Sequence, residues 1–151
     1  FSEFDHITSK YGIEKIKTIG DAYMAAGGLP LPDEHHAEHV IKAACEMRDF
    51  VEAGKARKIK EGLPYFEIRI GVHTGPVVAG IVGVKKFQYD IWGDTVNTAN
   101  RMENAGEAGK INISQTTYEV LKEDPKFTFV SRGKIEAKGK GEIEMYFVSK
   151  K

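Results

Sequence analysis

Lys15-Ile16-Lys17-Thr18-Ile19-Gly20-Asp21-Ala22-Tyr23-Met24-Ala25-Ala26 is the stretch on which the rest of the chain turns. Alternating β-formers run into a two-residue Gly20-Asp21 turn and out again through Tyr23 and Met24, the pattern of a tight β-hairpin with glycine where φ must be positive. Asp21 then stands as an acid at the tip of a rigid ribbon, and Lys17 is a cation on the strand that feeds it. Alone, such a hairpin reads as a surface turn with a solvated lysine. A second stretch, Gln88 to Arg101, gives it weight. There Phe87-Gln88-Tyr89-Asp90-Ile91-Trp92-Gly93-Asp94 reads as a short strand, and Thr95 to Asn104 as a helix with Val96, Ala99 and Met102 on its apolar side. Asn97, Arg101 and Asn104 fall at i, i+4 and i+7 on roughly the opposite side, so an amide and a guanidinium are presented together.

Around these two stretches the chain interleaves strands and helices. Phe1 to Lys10 predicts the last turns of an amphipathic helix, and the stripe Ala37, Val40, Ile41, Ala44, Met47 and Val51 predicts a second helix packed on a sheet. Lys55 to Glu61 reads as a polar, basic exit from that helix. Phe66 to Val72 reads as a strand with one buried face, and Val77 to Val82 as an apolar strand covered on both faces. Ile111 to Ile113, Phe127 to Val130, Lys134 to Ala137 and Glu142 to Val148 read as further strands, with a helix from Ser114 through Leu121. The class is α/β or α+β with a mixed sheet.

The 151 residues, 41% hydrophobic and 29% charged, suit one globular domain over residues 1–151. Lys+Arg and Asp+Glu are both 22, so nothing global argues for a nucleic-acid or membrane-surface partner, and anion binding must be local. A lone cysteine, Cys45, implies a reducing compartment and reads as packing on its helix. His35 and His39 have the i, i+4 spacing of a zinc pair without a clear third ligand, and His73 reads as the cap of a strand end. No apolar run approaches a membrane span. A chain that starts at Phe1, within a helix and without methionine, is expected to be a piece of something longer.

Four segments in order resemble the catalytic domain of class III nucleotide cyclases: Glu14 to Met24, Arg69-Ile70-Gly71-Val72-His73-Thr74-Gly75-Pro76-Val77-Val78-Ala79-Gly80, Tyr89 to Asn97 with Arg101-Met102-Glu103, and Lys138-Gly139-Lys140-Gly141. The resemblance implies an α+β, ferredoxin-like (βαββαβ) core, a mixed sheet flanked by helices, that forms a head-to-tail homodimer with ATP between the subunits. It implies that Asp21 is one of two aspartates holding a pair of Mg²⁺ or Mn²⁺ ions. Lys17 and Asp90 would read the adenine, Asn97 would orient the ribose, Arg101 would be the transition-state cation and Lys138 the triphosphate lysine. In that family the metal aspartates come from one subunit and the other groups from its partner, so the resemblance implies that Lys17 and Asp21 of one chain serve different sites. The family's second metal aspartate lies on an N-terminal inner strand, Asp-Ile-x-Gly-Phe-Thr-like, and this chain has no such segment. Asp5 cannot replace it.

The residue chemistry agrees with those roles. Adenine offers an acceptor at N1 and a donor at its amine, which suits an ammonium beside a carboxylate, while guanine reverses both polarities. The expected function is therefore an adenylate cyclase in a cytoplasmic setting, with regulatory domains or a membrane tether upstream. The alternatives are a guanylate cyclase, disfavoured by Lys17 and Asp90, and a non-catalytic cyclase-like module that binds ATP or only dimerises. A nucleic-acid-binding ferredoxin-like domain is disfavoured by the neutral charge and by the lack of a basic, aromatic strand face.

Overall fold

The computed structural model describes all of residues 1–151. Its centre is one long helix, α2 (His36–Glu61), which follows α1 (Ser2–Lys10) and a hairpin of β1 (Glu14–Ile19) and β2 (Ala22–Ala26). The stripe read from the sequence is the buried face: Ala37, Ile41 and Ala44 pack with Val72, Ile111, Ile113 and Val148. Ala43, off that stripe, is buried too, because Phe4, Ile7 and Ile13 cover the helix from the α1 and hairpin side. Cys45 is 1% exposed and belongs to the first of these clusters, as packing requires. The polar, basic exit over Lys55–Glu61 is itself helical, the last two turns of α2. Gly62 stops it in the left-handed conformation (φ 72°), with its N–H on the Ile59 carbonyl.

Under α2 lies a four-stranded mixed sheet in the order β3 (Ile70–Val72), β6 (Ile111–Ser114), β8 (Gly141–Lys150), β7 (Phe127–Ala137). β3 runs parallel to β6, and the other pairs are antiparallel. β6 is buried at every residue because both faces are covered. Ile111 and Ile113 point to α2, and Asn112 points to α3 (Asp94–Asn104), where its side-chain amide donates to the Met102 carbonyl at 2.9 Å. α4 (Gln115–Leu121) starts at an Ser114 cap, as its sequence predicts.

Three expectations are corrected by the pairing. Phe127–Val130 and Lys134–Ala137 are one strand, kinked by a bulge between Ser131 and Gly133 that leaves the pairing with β8 intact on both sides. The strand expected over Phe66–Val72 is only Ile70–Val72, and Phe66 is 82% exposed. It shortens because β3 has a ladder partner on one side only, Ile111–Ile113, and residues 66–69 run past the end of that partner, with a single backbone bond there from the Gly109 N–H to the Ile68 carbonyl. Val77–Val82 is not sandwiched either. β4 (Val78–Val82) and β5 (Gln88–Trp92) form a separate antiparallel ribbon whose Val78 and Ile81 are 66% and 71% exposed.

The result is the α+β, ferredoxin-like class, a mixed sheet flanked by helices, but with the strands in three sheets. β2 and β3 turn their unpaired edges to a common cleft of about 110 Å³, lined by Tyr23 and Ala25 on one side and by Ile70, Gly71 and Val72 on the other.

Candidate active site

The hairpin tip is built as its sequence demands. Gly20 has φ 58°, a conformation open to glycine, and Asp21 follows it at the exposed end of the ribbon with no ion-pair partner. On β1, two residues before the strand's exposed end, Lys17 turns toward β5. Its Nζ lies 2.9 Å from Asp90 Oδ2, and Asp90 Oδ1 accepts the Ile91 N–H at 2.8 Å. Asp90 is 8% exposed, and the Lys17 hydrogen bond holds its carboxyl below the usual aspartate range. Two residues 73 positions apart thus form one fixed donor and acceptor pair. Gln88 anchors the two strands from the other side, its side-chain amide donating to the Ile16 carbonyl.

α3 carries the second group. It begins after Gly93 (φ 122°), buries Thr98 and Met102 against the sheet and leaves Asn97 exposed, with Val96 and Ala99 half-buried. Two contacts fix the helix to the chain before it. Gly71 lets β3 pass directly under the Met102–Glu103 backbone, where a Cβ would lie 2.0 Å from the Glu103 nitrogen. Thr95 Oγ1 donates to the Pro76 carbonyl at 2.6 Å. Arg101 Nε donates to the Lys138 carbonyl at 2.6 Å, which leaves both terminal nitrogens of the guanidinium free for a ligand. Lys138 itself is exposed in the turn joining β7 to β8.

The structure therefore joins Lys17 with Asp90 and Arg101 with the Lys138 turn, while Asn97 stands exposed one helical turn before Arg101 with no side-chain partner. It records no contact between Asp21 and either group. Sequence reading passed over three further connections. Asp94 pairs with Lys140; Arg132 donates to the Ala105 carbonyl and Asn112 Oδ1, closing the end of α3; and His73 Nδ1 lies 2.6 Å from Ser114 Oγ. Burial, with a smaller effect of the Lys140 charge, keeps the His73 imidazole below its ordinary range. A second lysine two residues after Lys138 was the one sequence signal for the first of these. His39, one of the zinc-spaced pair, lies with its Nδ1 2.6 Å from Asp33 Oδ2, and no three metal-ligating side chains converge anywhere in the chain. Asp21, a hard oxygen ligand with no competing cation, fits a divalent ion of the kind held by one or two carboxylates plus substrate phosphates. No helix is long and apolar enough to cross a membrane.

An α+β domain with a fixed lysine–aspartate pair, and with a helix-borne guanidinium bonded to a turn that carries two lysines, holds groups of the kind that a nucleotide-processing domain needs. Residues 1–150 match the family model of the adenylate and guanylate cyclase catalytic domain, and the chain belongs to that family. It is 47% identical over 148 residues to guanylate cyclase soluble subunit beta-2 of Rattus norvegicus, covering 98% of this chain and 21% of the relative. It is 40% identical over 150 residues to an adenylate cyclase of Mycobacterium bovis, covering 98% of this chain and 32% of the relative. Among solved structures it is similar to the guanylate cyclase domain of RhGC from Catenaria anguillulae in complex with GTP. There the TM-score is 0.87 at 37% identity, over 99% of this chain and 79% of that one. The chain thus spans about a seventh to a third of the length of the curated relatives it matches.

Proposed function

We propose that the chain is the catalytic domain of an adenylate cyclase, which turns ATP into 3′,5′-cyclic AMP and pyrophosphate at a site shared by two copies. The observation that carries the choice of ATP is the Lys17–Asp90 pair at 2.9 Å. An ammonium that only donates and a carboxylate that only accepts, both held in place before any ligand arrives, match N1 and the 6-amine of adenine. GTP would set a carbonyl against the carboxylate and an N–H against the ammonium.

The nucleophile, the ribose 3′-hydroxyl, belongs to the substrate, so the protein's work is to orient it and to balance charge. Its oxygen forms a bond to the α-phosphorus, its proton leaves to solvent or phosphate, and the bond to the β-phosphate bridging oxygen breaks to release pyrophosphate. Asn97, exposed on α3, orients the ribose. The two free nitrogens of Arg101 meet the charge that builds on the α-phosphoryl group, and Lys138 meets it on the leaving pyrophosphate. Asp21, with the second aspartate of the family pattern, would hold two Mg²⁺ or Mn²⁺ ions, which supply Lewis-acid charge neutralisation when bound. Asp21 makes no contact with Arg101 within one chain, which supports a composite site between two copies. So do the exposed Ile19, Ile81 and Phe87, at 60%, 71% and 72%, along β1 and the adjoining ribbon. Upstream regulatory domains belong to the same proposal.

A guanylate cyclase is the second reading, favoured by the 47% identity to a guanylate cyclase subunit. The purified full-length protein, given ATP or GTP with Mg²⁺ or Mn²⁺, decides between them. Cyclic AMP as the dominant product supports the proposal, dominant cyclic GMP supports the rival, and nucleotide binding without turnover marks a regulatory module.

A further inference from the structure

The turn between β7 and β8 is held from both ends by one helix. At the start of α3, Asp94 pairs with Lys140. Seven residues on, Arg101 Nε donates to the Lys138 carbonyl at 2.6 Å. Beside it, Met102 packs with Ala137 and Met145, with Met102 fully buried and Ala137 2% exposed. The turn closes on itself through the Lys140 N–H and the Ala137 carbonyl at 2.8 Å, and Gly139 and Gly141 supply the positive φ angles. Its two lysines are consequently unlike. The Lys140 side chain is 23% exposed and carries a counter-ion, and its charge reaches the His73 imidazole; Lys138 is exposed and makes no ion pair.

We infer that Asp94 and Lys140 are a positioning pair: by fastening the far end of the turn to the first turn of α3, they set where the Lys138 ammonium stands relative to the Arg101 guanidinium. The inference rests on the cyclase reading above and is indifferent to which purine is used. A triphosphate reaches over both cations at once, so their spacing governs how well it is held. Without the Asp94 contact, the tip of the turn is held only by the Ala137–Gly141 pairing at its base and by Arg101 on one carbonyl, and a Lys138 displaced by about 1 Å would lose much of its effect. Lys140 works through its partner rather than on the phosphates. Asp94 answers to it from a site 78% exposed, where its removal leaves the core untouched.

The test uses the full-length protein and whichever of ATP or GTP the wild type converts. D94N is expected to raise KM about fivefold, the factor matching the upper worth of an exposed ion pair, with kcat falling by up to the same factor because Lys138 also meets charge on the leaving pyrophosphate. Inhibition by added pyrophosphate should weaken in parallel, and the melting temperature should stay within about 2 °C. The charge-exchanged double variant D94K/K140D is expected to recover most of the lost KM. A D94N enzyme with unchanged KM overturns the inference. So does one with a lower KM, which would mean that Asp94 competes with phosphate for Lys140. A double variant no better than D94N, or a KM change accompanied by a large fall in melting temperature, overturns it as well. A wild type without cyclase activity would instead remove the functional reading beneath it.

Discussion

Exchanging the polarity of the Lys17–Asp90 pair is the sharpest test of base choice. Lys17→Glu alone would leave two carboxylates facing each other at the present 2.9 Å contact, so one would take up a proton or swing away. Pairing it with Asp90→Asn avoids this. The amide oxygen can still accept the Ile91 N–H now bonded to Asp90 at 2.8 Å, while the amide nitrogen turns a donor outward. Opposed to the wrong purine, each member of the native pair leaves a polar group unpaired at about 1–3 kcal/mol. The Asp90 side chain is only 12% exposed and loses the full amount, whereas that of Lys17 is 32% exposed and recovers part of it from water. Together about 2–4 kcal/mol is at stake, which is roughly 30- to 1,000-fold in selectivity. The measurement is kcat/KM for ATP and for GTP at subsaturating nucleotide, with cyclic products separated chromatographically. Wild type should favour ATP by that factor, and K17E/D90N should lose at least about 30-fold of it. A ratio that stays within about threefold of wild type while turnover persists would show that these two side chains do not read the base.

Three further outcomes bear on the assembly and the fold. Arg101→Ala and Asp21→Ala, each inactive, should regain about a quarter of wild-type activity when mixed in equal amounts, since half the dimers are mixed and each has one intact site; no recovery would put both groups in one subunit's site. Phe87→Glu, on the exposed β4–β5 ribbon, should weaken self-association by about 2 kcal/mol, or ~30-fold, in sedimentation or light scattering, and activity should fall at dilute protein. Glu38, bridged to Lys42 and Lys126, has its pKa lowered from 4.5 to about 2 by those hydrogen bonds. A depressed carboxylate stabilises the fold above its unfolded value and loses that stabilisation as pH falls through the folded one. Wild type should therefore exceed Glu38→Gln by about 1–2 kcal/mol at pH 7, with the difference vanishing between about pH 4.5 and 2 in denaturant titrations.

The local elements were legible in the residues because each answers to a nearest-neighbour rule. A Gly-Asp turn between alternating β-formers makes β1–β2, a period of 3.6 makes α2 and α3, and a serine before a helical run caps α4. The candidate site residues were likewise visible as types: an acid at a hairpin tip, and an amide and a guanidinium four apart on α3. What the linear chain could not state is which of these meet. Strand length at Ile70–Val72, the fusion of residues 127–137 into one strand and the exposure of the β4–β5 ribbon all depend on what lies alongside, and hydrogen-bonding edges are satisfied only by partners distant in sequence. The same holds at the site. Lys17 and Asp90 become one ion pair across 73 residues, and Lys140 becomes the partner of Asp94, only once β1, β5, α3 and the β7–β8 turn are packed together. Periodicity and turn chemistry act over a few residues and are written in order along the chain. Charge pairing and edge pairing act through space, and the packed structure alone decides them.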